Sequence, residues 1–384
     1  MALKPVPVTI LTGFLGAGKT TLLNRLLKDE ALSDAIVIIN EFGDIGLDHL
    51  FIETRDDGMV LMASGCLCCT IRGDLVDTLS DLMKKRDTGV LHEFKRIVIE
   101  TTGLADPAPV LQSLLAHPYL AARYALDGVV TLIDAVNGMS TLDHHSEAVK
   151  QAAIADRLVI TKTDLVSDTV ALDERLKALN PAAPRLDAQK GEAPASALIA
   201  LGPFALSEKI PDVADWLKIE AYADHDPHHG HPHEHHHHHD HDPHHHDPRP
   251  HDLGQAHDVN RHDDHIRAFC LTSADSITPA AFEMFLALLQ SAHGPALLRL
   301  KGLVSLTDDP ARPVVIHAVQ HVIHPPLRLA AWPDSDHRTR LVFITRDLEK
   351  NTIDRLWAAM NGQPGIDTPD RSAMLDNPLS LRTN

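Results

Sequence analysis

Gly13-Phe14-Leu15-Gly16-Ala17-Gly18-Lys19-Thr20 follows an apolar run, Val8 to Thr12, and precedes a helical pattern with Leu22, Leu23, Leu26 and Leu27 on one face. A strand that turns through glycines straight into a helix constrains the fold more than anything else in the chain. It fits the G-x-x-x-x-G-K-[ST] spacing of a phosphate loop and demands strand before, helix after. Further runs at 36–39, 97–99, 129–133 and 158–160 are β-branched and apolar on both faces, as buried parallel strands are. Leu75, Val76, Leu79, Leu82 and Met83 mark another helix between them. The succession predicts an α/β domain with a mostly parallel sheet and helices on both faces, over residues 1–218.

In such a loop, backbone N–H groups at Gly13, Gly16, Ala17, Gly18, Lys19, Thr20 and Thr21 face phosphate oxygens. Lys19 reaches the β- and γ-phosphates, and the Thr20 hydroxyl ligates Mg²⁺. The helix N-terminus adds partial positive charge. Glu100 ends the strand-like run Ile97-Val98-Ile99 and is the expected acidic partner of the Mg²⁺; a helix-capping acid is the competing reading. Gly103 is placed to sense the γ-phosphate through its N–H. Thr161-Lys162-Thr163-Asp164 resembles the N-K-x-D guanine motif, with Thr in place of Asn. A carboxylate at Asp164 would accept from paired donors on guanine that adenine lacks, so GTP is the expected nucleotide. Glu41 and Asp44, in Asn40-Glu41-Phe42-Gly43-Asp44, lie where a switch loop and a group positioning the hydrolytic water are expected.

Cys66-Leu67-Cys68-Cys69 holds three of the four cysteines. That is no disulfide framework, and it points to metal or redox chemistry. The three thiolates converge on one Zn²⁺ or Co²⁺ only if the chain turns there, and a tetrahedral site still lacks its fourth ligand, for which Glu41 is the candidate. A Cys66–Cys69 redox pair and buried inert thiols are the alternatives. Cys270 stands alone and reads as a core residue.

The chain has 384 residues, 28 of them His, and a net charge of −18. That balance argues against nucleic acid or an anionic membrane as a partner held by bulk charge. Residues 224–265 carry 18 of the histidines and ten acids against two arginines, a net −8. With almost nothing apolar to offset ordering entropy, 219–265 is expected to be a disordered linker, its imidazoles a set of weak, exchangeable metal ligands. Beyond it a smaller α+β domain is expected at 266–362. Its strands fall at 266–271, 297–306, 314–323 and 341–345, with helices at 279–289 and 348–360 and a loose tail at 363–384. His317 and His321 would lie on one face of a single strand, about 13 Å apart, as surface or client-contact residues. The first residues show no signal-peptide pattern and no run is long enough to cross a bilayer, so a cytoplasmic protein is expected.

Taken in order, Thr12-Gly13-Phe14-Leu15-Gly16-Ala17-Gly18-Lys19-Thr20-Thr21, Asn40-Glu41-Phe42-Gly43, Gly65-Cys66-Leu67-Cys68-Cys69, Glu100-Thr101-Thr102-Gly103-Leu104-Ala105-Asp106-Pro107 and Thr161-Lys162-Thr163-Asp164 resemble the CobW-type metallochaperone GTPases, a branch of the P-loop proteins. The resemblance covers roughly residues 5–360. It implies a Mg²⁺-dependent GTPase coupled to delivery of Zn²⁺ or a related ion to a client metalloprotein, with Cys66, Cys68 and Cys69 as the metal motif, a His-rich stretch between the domains, and an oligomer as one possible state. Asp44 stands where the family commonly has Glu, and Thr161 departs from the general GTPase Asn. A metal-storage protein with a vestigial GTPase and a redox-regulated GTPase are the rival readings.

Overall fold

The computed structural model describes residues 5–40, 59–62, 71–91, 93–201, 265–320 and 322–362. Glu41, Asp44, Cys66, Cys68, Cys69, His321, the 218/219 boundary and all of the histidine tract but His265 lie outside them.

Seven strands form one parallel sheet: β1 (Val6–Gly13), β2 (Ala35–Asn40), β3 (Met59–Met62), β4 (Arg96–Glu100), β5 (Tyr124–Asp134), β6 (Arg157–Thr161) and β7 (Arg185–Asp187), in the spatial order β3-β2-β4-β1-β5-β6-β7. The strand that feeds the phosphate loop is therefore central. It is buried along nearly its whole length because helices cover both faces. These are α1 (Lys19–Leu26), α2 (Ile71–Asp87), α3 (Ala108–Ala116), α4 (Pro118–Arg123), α5 (Gly138–His144), α6 (Ser146–Ala153), α7 (Val170–Leu179) and the single turn α8 (Ala195–Leu198). Parallel strands need such crossovers. The α1 pattern holds: Leu22, Leu23 and Leu26 are buried against Leu11, Val37 and Val98.

The C-terminal domain is a second, antiparallel sheet. Its elements are β8 (Ile266–Ser273), α9 (Pro279–His293), β9 (Leu297–Val304), β10 (Val314–Val319), β11 (Val322–Ile323), β12 (Leu327–Arg328), β13 (Thr339–Arg346) and α10 (Lys350–Met360). The strands run β11-β10-β9-β13-β8, with β12 also on β10. Helix α9 starts where Thr278 accepts from Ala281 N–H at 3.2 Å and Pro279 supplies the first-turn residue that needs no donor. Phe285 and Trp357 of the two helices pack edge-to-face at 5.2 Å over Leu300 and Phe343.

One face of this sheet is thus covered by its own helices, and the other docks on the nucleotide domain. Ala268, Val319, Val342 and Ile344 share a core with Val110, Leu111 and Leu114 of α3 and with Ala153 and Ile154. A buried ionic cluster sits in the same interface. Asp156 accepts from Arg299 and from Lys301 (2.6 Å) across the domain boundary and from Val129 N–H (2.9 Å) within its own domain. Burial alone would raise the Asp156 carboxyl, but Arg299 and Lys301 hold it far below the usual carboxylate range. The Lys301 ammonium is pushed down to about 8 by burial and by Arg299, against the pull of Asp156.

Two expectations are corrected here. The run 314–323 is not one strand but a hairpin, turned at Gln320 with φ 51° and closed by β11. His317 is not a surface residue: it is 2% exposed, beneath the docked domain, and stacks on His324 at 4.6 Å. The alternation Ile316, His317, Ala318 mimics a strand with one wet face, but the nucleotide domain covers that face.

Burial, with Asp156 working the other way and Arg299 in support, lowers His324 to about 4, and His317 is pushed the same way by burial and by His324. An imidazole with a folded pKa below its unfolded 6.5 stabilises fully above 6.5, and that stability is lost as pH falls towards 4, because the unfolded chain takes the proton first. Each ring then contributes a slope of about 1.4 kcal/mol per pH unit. Chemical denaturation between pH 7 and 4.5 should show this loss, and His324→Phe, which keeps a ring in the stack, should flatten it. An equal slope in the variant would show that this imidazole is not the titrating group.

Candidate nucleotide site

The chain leaves β1 through Gly13 at φ 144°, where an added Cβ would lie 2.5 Å from Leu132 O, and enters α1 through Gly18 at φ 88°. Both backbone positions favour glycine. The loop therefore lies flush on β5 and presents the first-turn N–H groups of α1, which have no intrahelical partners, to one cleft. The cleft measures about 570 Å³ and is lined by Gly16, Gly18, Lys19, Thr20, Thr21, Glu100 and Gly103, among others. That volume suits a small ligand. Lys19 is buried to 9% exposure, and its ammonium donates to Gly13 O (2.9 Å) and Phe14 O (3.1 Å) at the loop's start.

Thr20 Oγ1 donates to Glu100 Oε1 at 2.8 Å. Thr20 lies in the first turn of α1 and Glu100 ends β4, 80 residues apart in sequence, and together they form a hard-oxygen pair beside the loop. This donor set fits Mg²⁺, which favours oxygen ligands. Beside Glu100, Thr101 ties β4 to β1 through Thr12 (2.8 Å) and through Leu11 O (2.9 Å). Gly103 then presses on the loop: a Cβ there would meet Leu15 N at 2.5 Å and Leu15 Cα at 2.7 Å.

On the other side of β1, Thr161 ends β6 and is buried. Its hydroxyl is within donating distance of Ala17 O (2.8 Å) and Ile133 O (3.3 Å). The residue that replaces the usual Asn thus tethers the phosphate loop to the strand beside it. Lys162 follows at φ 58°, with its ammonium on Asp134 Oδ2 at 2.7 Å, and Asp164 is exposed on the next turn. Gln189 accepts from Lys162 N–H (3.2 Å), and Asp187 accepts from Thr163 (2.8 Å), which fixes that turn. Burial works against the charge on Asp134, but Lys162, Asn137 and Val136 N–H outweigh it and keep its carboxyl below the ordinary range.

The structure thus brings Gly16, Gly18, Lys19, Thr20, Thr21, Glu100 and Gly103 to one cleft, leaves Gly13 and Ala17 in the loop but off the cleft's lining, and sets Lys162 and Asp164 on the β6 side of the loop. Three neighbours of these residues were not anticipated: Asp134, which holds Lys162, Asn137, which donates to Asp134 at 3.0 Å, and Gln151, whose amide donates to Gly103 O at 3.3 Å. Asp134 closes the apolar run 129–133, a position that resembles that of Glu100 after 97–99, and so had a readable signal. Gln151 had none, since it acts across 48 residues.

Comparison with known proteins agrees with this geometry. Residues 7–187 match the CobW/HypB/UreG nucleotide-binding domain, and 266–361 match the cobalamin synthesis protein cobW C-terminal domain. The zinc chaperone YjiA of Escherichia coli (strain K12) is 39% identical over 208 residues, 54% of this chain and 65% of that protein. The zinc-regulated GTPase metalloprotein activator 1 of Schizosaccharomyces pombe is 39% identical over 172 residues, 43% and 41% of the two chains. The zinc chaperone CobW of a Sinorhizobium species is 31% identical over 228 residues, 51% and 63%. The matched regions thus span less than two thirds of those relatives' own lengths. The crystal structure of Zn(II)-bound YjiA GTPase from E. coli superposes with a TM-score of 0.63 at 27% identity, covering 93% of this chain and 99% of that one. No described helix is long and apolar enough to cross a membrane. With a phosphate-loop domain followed by the cobW C-terminal domain, the chain belongs to the CobW family of P-loop GTPases.

Proposed function

We propose that this protein hydrolyses GTP and uses the cycle to load a transition metal, Zn²⁺ or Co²⁺, onto a client metalloprotein. The observation that carries the nucleotide half is the Thr20–Glu100 pair at 2.8 Å beside a glycine loop with Lys19 at its mouth. Thr20 and Glu100 would hold Mg²⁺, which when bound neutralises charge on the phosphates. The loop N–H groups and Lys19 orient the phosphate chain, Gly103 offers its N–H beside the loop, and Asp164 with Lys162 faces the base. Positioning and fixed dipoles of this kind supply most of the catalysis in phosphoryl transfer.

The metal half is supported by the three thiols at 66, 68 and 69 and by relatives named zinc chaperones. Zn²⁺ or Co²⁺ would be cargo, captured by the 224–265 histidines and held by Cys66, Cys68 and Cys69 with Glu41 as the fourth ligand. Glu41 and Asp44 are also the candidates for orienting the attacking water. The proposed setting is the cytoplasm.

Cys68→Ser is expected to weaken Zn²⁺ binding about tenfold or more while leaving affinity for a fluorescent GTP analogue within twofold of wild type. Competition with a chelating dye measures the first and anisotropy the second. A tight one-to-one Zn²⁺ site in the variant would reject the ligand assignment. Zn²⁺ affinity that is equal with GTP analogue and with GDP would reject the coupling.

A further inference from the structure

The segment between Gly103 and α3 is held from two sides. On the nucleotide side, Gly103 packs against Leu15 of the phosphate loop. Its carbonyl and that of Ala105 accept from Gln151 Nε2, at 3.3 and 3.0 Å. Gln151 is 1% exposed and is itself pinned, because its backbone carbonyl accepts from Thr131 of β5 at 2.7 Å. On the far side, Asp106 Oδ1 accepts from Ala108 N–H (3.0 Å) at the start of α3, and Lys150 Nζ lies 3.5 Å from Oδ2. The remaining contact crosses the domain boundary: Gln320 Nε2 donates to both Asp106 oxygens, at 2.9 and 3.1 Å.

Gln320 is the left-handed residue at the tip of the β10–β11 hairpin. Its backbone is also fixed, since its N–H donates to Leu298 O at 3.0 Å. A non-glycine residue at positive φ costs energy unless the surroundings hold it. Here that conformation points an amide from a different domain at a carboxylate three residues from the glycine that touches the phosphate loop. A surface hydrogen bond needs no such arrangement.

We propose that Gln320 of the C-terminal domain is a positioning residue for GTP hydrolysis, setting the Gly103–Asp106 segment through Asp106. This rests on the nucleotide reading of the cleft given above. The coupling is reciprocal: whatever moves the hairpin, such as a client seated on the C-terminal domain, shifts Gly103 against the loop, and the γ-phosphate shifts the hairpin's anchorage in return.

The test uses the full chain. In Gln320→Ala, kcat for GTP is expected to fall about five- to tenfold with KM within twofold, and the affinity ratio of GTP analogue to GDP should change. Asp106→Ala should do the same, and Asp106→Asn, which keeps an acceptor at Oδ1, should recover most of the loss. The double variant Gln320→Ala/Asp106→Ala should be no worse than Asp106→Ala alone, because both remove one contact. Thermal melts show whether each variant is folded. An unchanged kcat and affinity ratio in a folded Gln320→Ala overturns the proposal, as does strict additivity in the double variant. A wild-type protein that neither binds nor turns over GTP overturns the nucleotide reading and this proposal with it.

Discussion

Replacing Asp156 by alanine is expected to cost about 3–5 kcal/mol of unfolding free energy, because it removes the buried carboxylate that Arg299 and Lys301 share. Arg299 is 3% exposed, and Lys301 is mostly buried beside it. The change also strands Val129 N–H, which donates to Asp156 at 2.9 Å. A protein with the usual 5–15 kcal/mol of stability would lose a large part of it. The loss should fall on the docking of the two domains, so the unfolding transition should broaden or split. Equilibrium urea unfolding followed by tryptophan fluorescence suits the purpose: all three tryptophans are numbered above 200, and Trp332 and Trp357 lie in the C-terminal domain. Adding Arg299→Met and Lys301→Met should restore most of the stability, since a packed apolar replacement avoids the desolvation cost. A loss below 1 kcal/mol for the single change would mean that the interface takes up water and that the cluster is not the latch.

The second large effect belongs to Gly103. Alanine there places a methyl carbon 2.5 Å from Leu15 N and 2.7 Å from Leu15 Cα, both backbone atoms that cannot rotate aside. Either the phosphate loop or the 103–106 segment must shift, and Gln151 and Asp106 resist movement of the segment. A displacement on the order of 1 Å at a catalytic contact costs about a hundredfold in rate. GTP turnover by Gly103→Ala is therefore expected to fall about a hundredfold at saturating nucleotide, with GDP affinity much less affected. Turnover within threefold of wild type would show that the segment takes no part in the reaction.

Much of the architecture was legible because it is local. The runs at 8–12, 36–39, 97–99, 129–133 and 158–160 are strands, and the helix after the loop begins at Lys19 as the spacing required. Two edge strands were not legible. Arg185–Asp187 is three residues long with a charge at each end, and Met59–Met62 offers only four residues after an acidic stretch. Edge strands face one neighbour and need no long apolar run. The site was read as far as motifs carry: Lys19, Thr20, Glu100 and Gly103 converge. What escaped was long-range. Asp156, Arg299 and Lys301 look like ordinary surface charges until a fold places residues more than 140 positions apart in contact. His317 was misjudged for the same reason, since no periodicity within one domain shows that a second domain covers its polar face.

The strand order sets the distances between the ends of the machine. All seven strands are parallel, so Met62, Glu100, Gly13 and Thr161 finish along the same edge of the sheet. At about 4.8 Å per strand, β3 stands roughly 14 Å from β1 and roughly 24 Å from β6. Cys66 follows Met62 by four residues, a reach of at most about 14 Å. Cys66 is thus within span of the phosphate loop and short of the strand that carries Lys162 and Asp164. Strand β5 separates the phosphate loop's β1 from the β6 end that carries Lys162, while β3, which precedes Cys66, stands on the opposite flank of β1, so any signal between thiols and nucleotide would have its shortest path at the phosphate end.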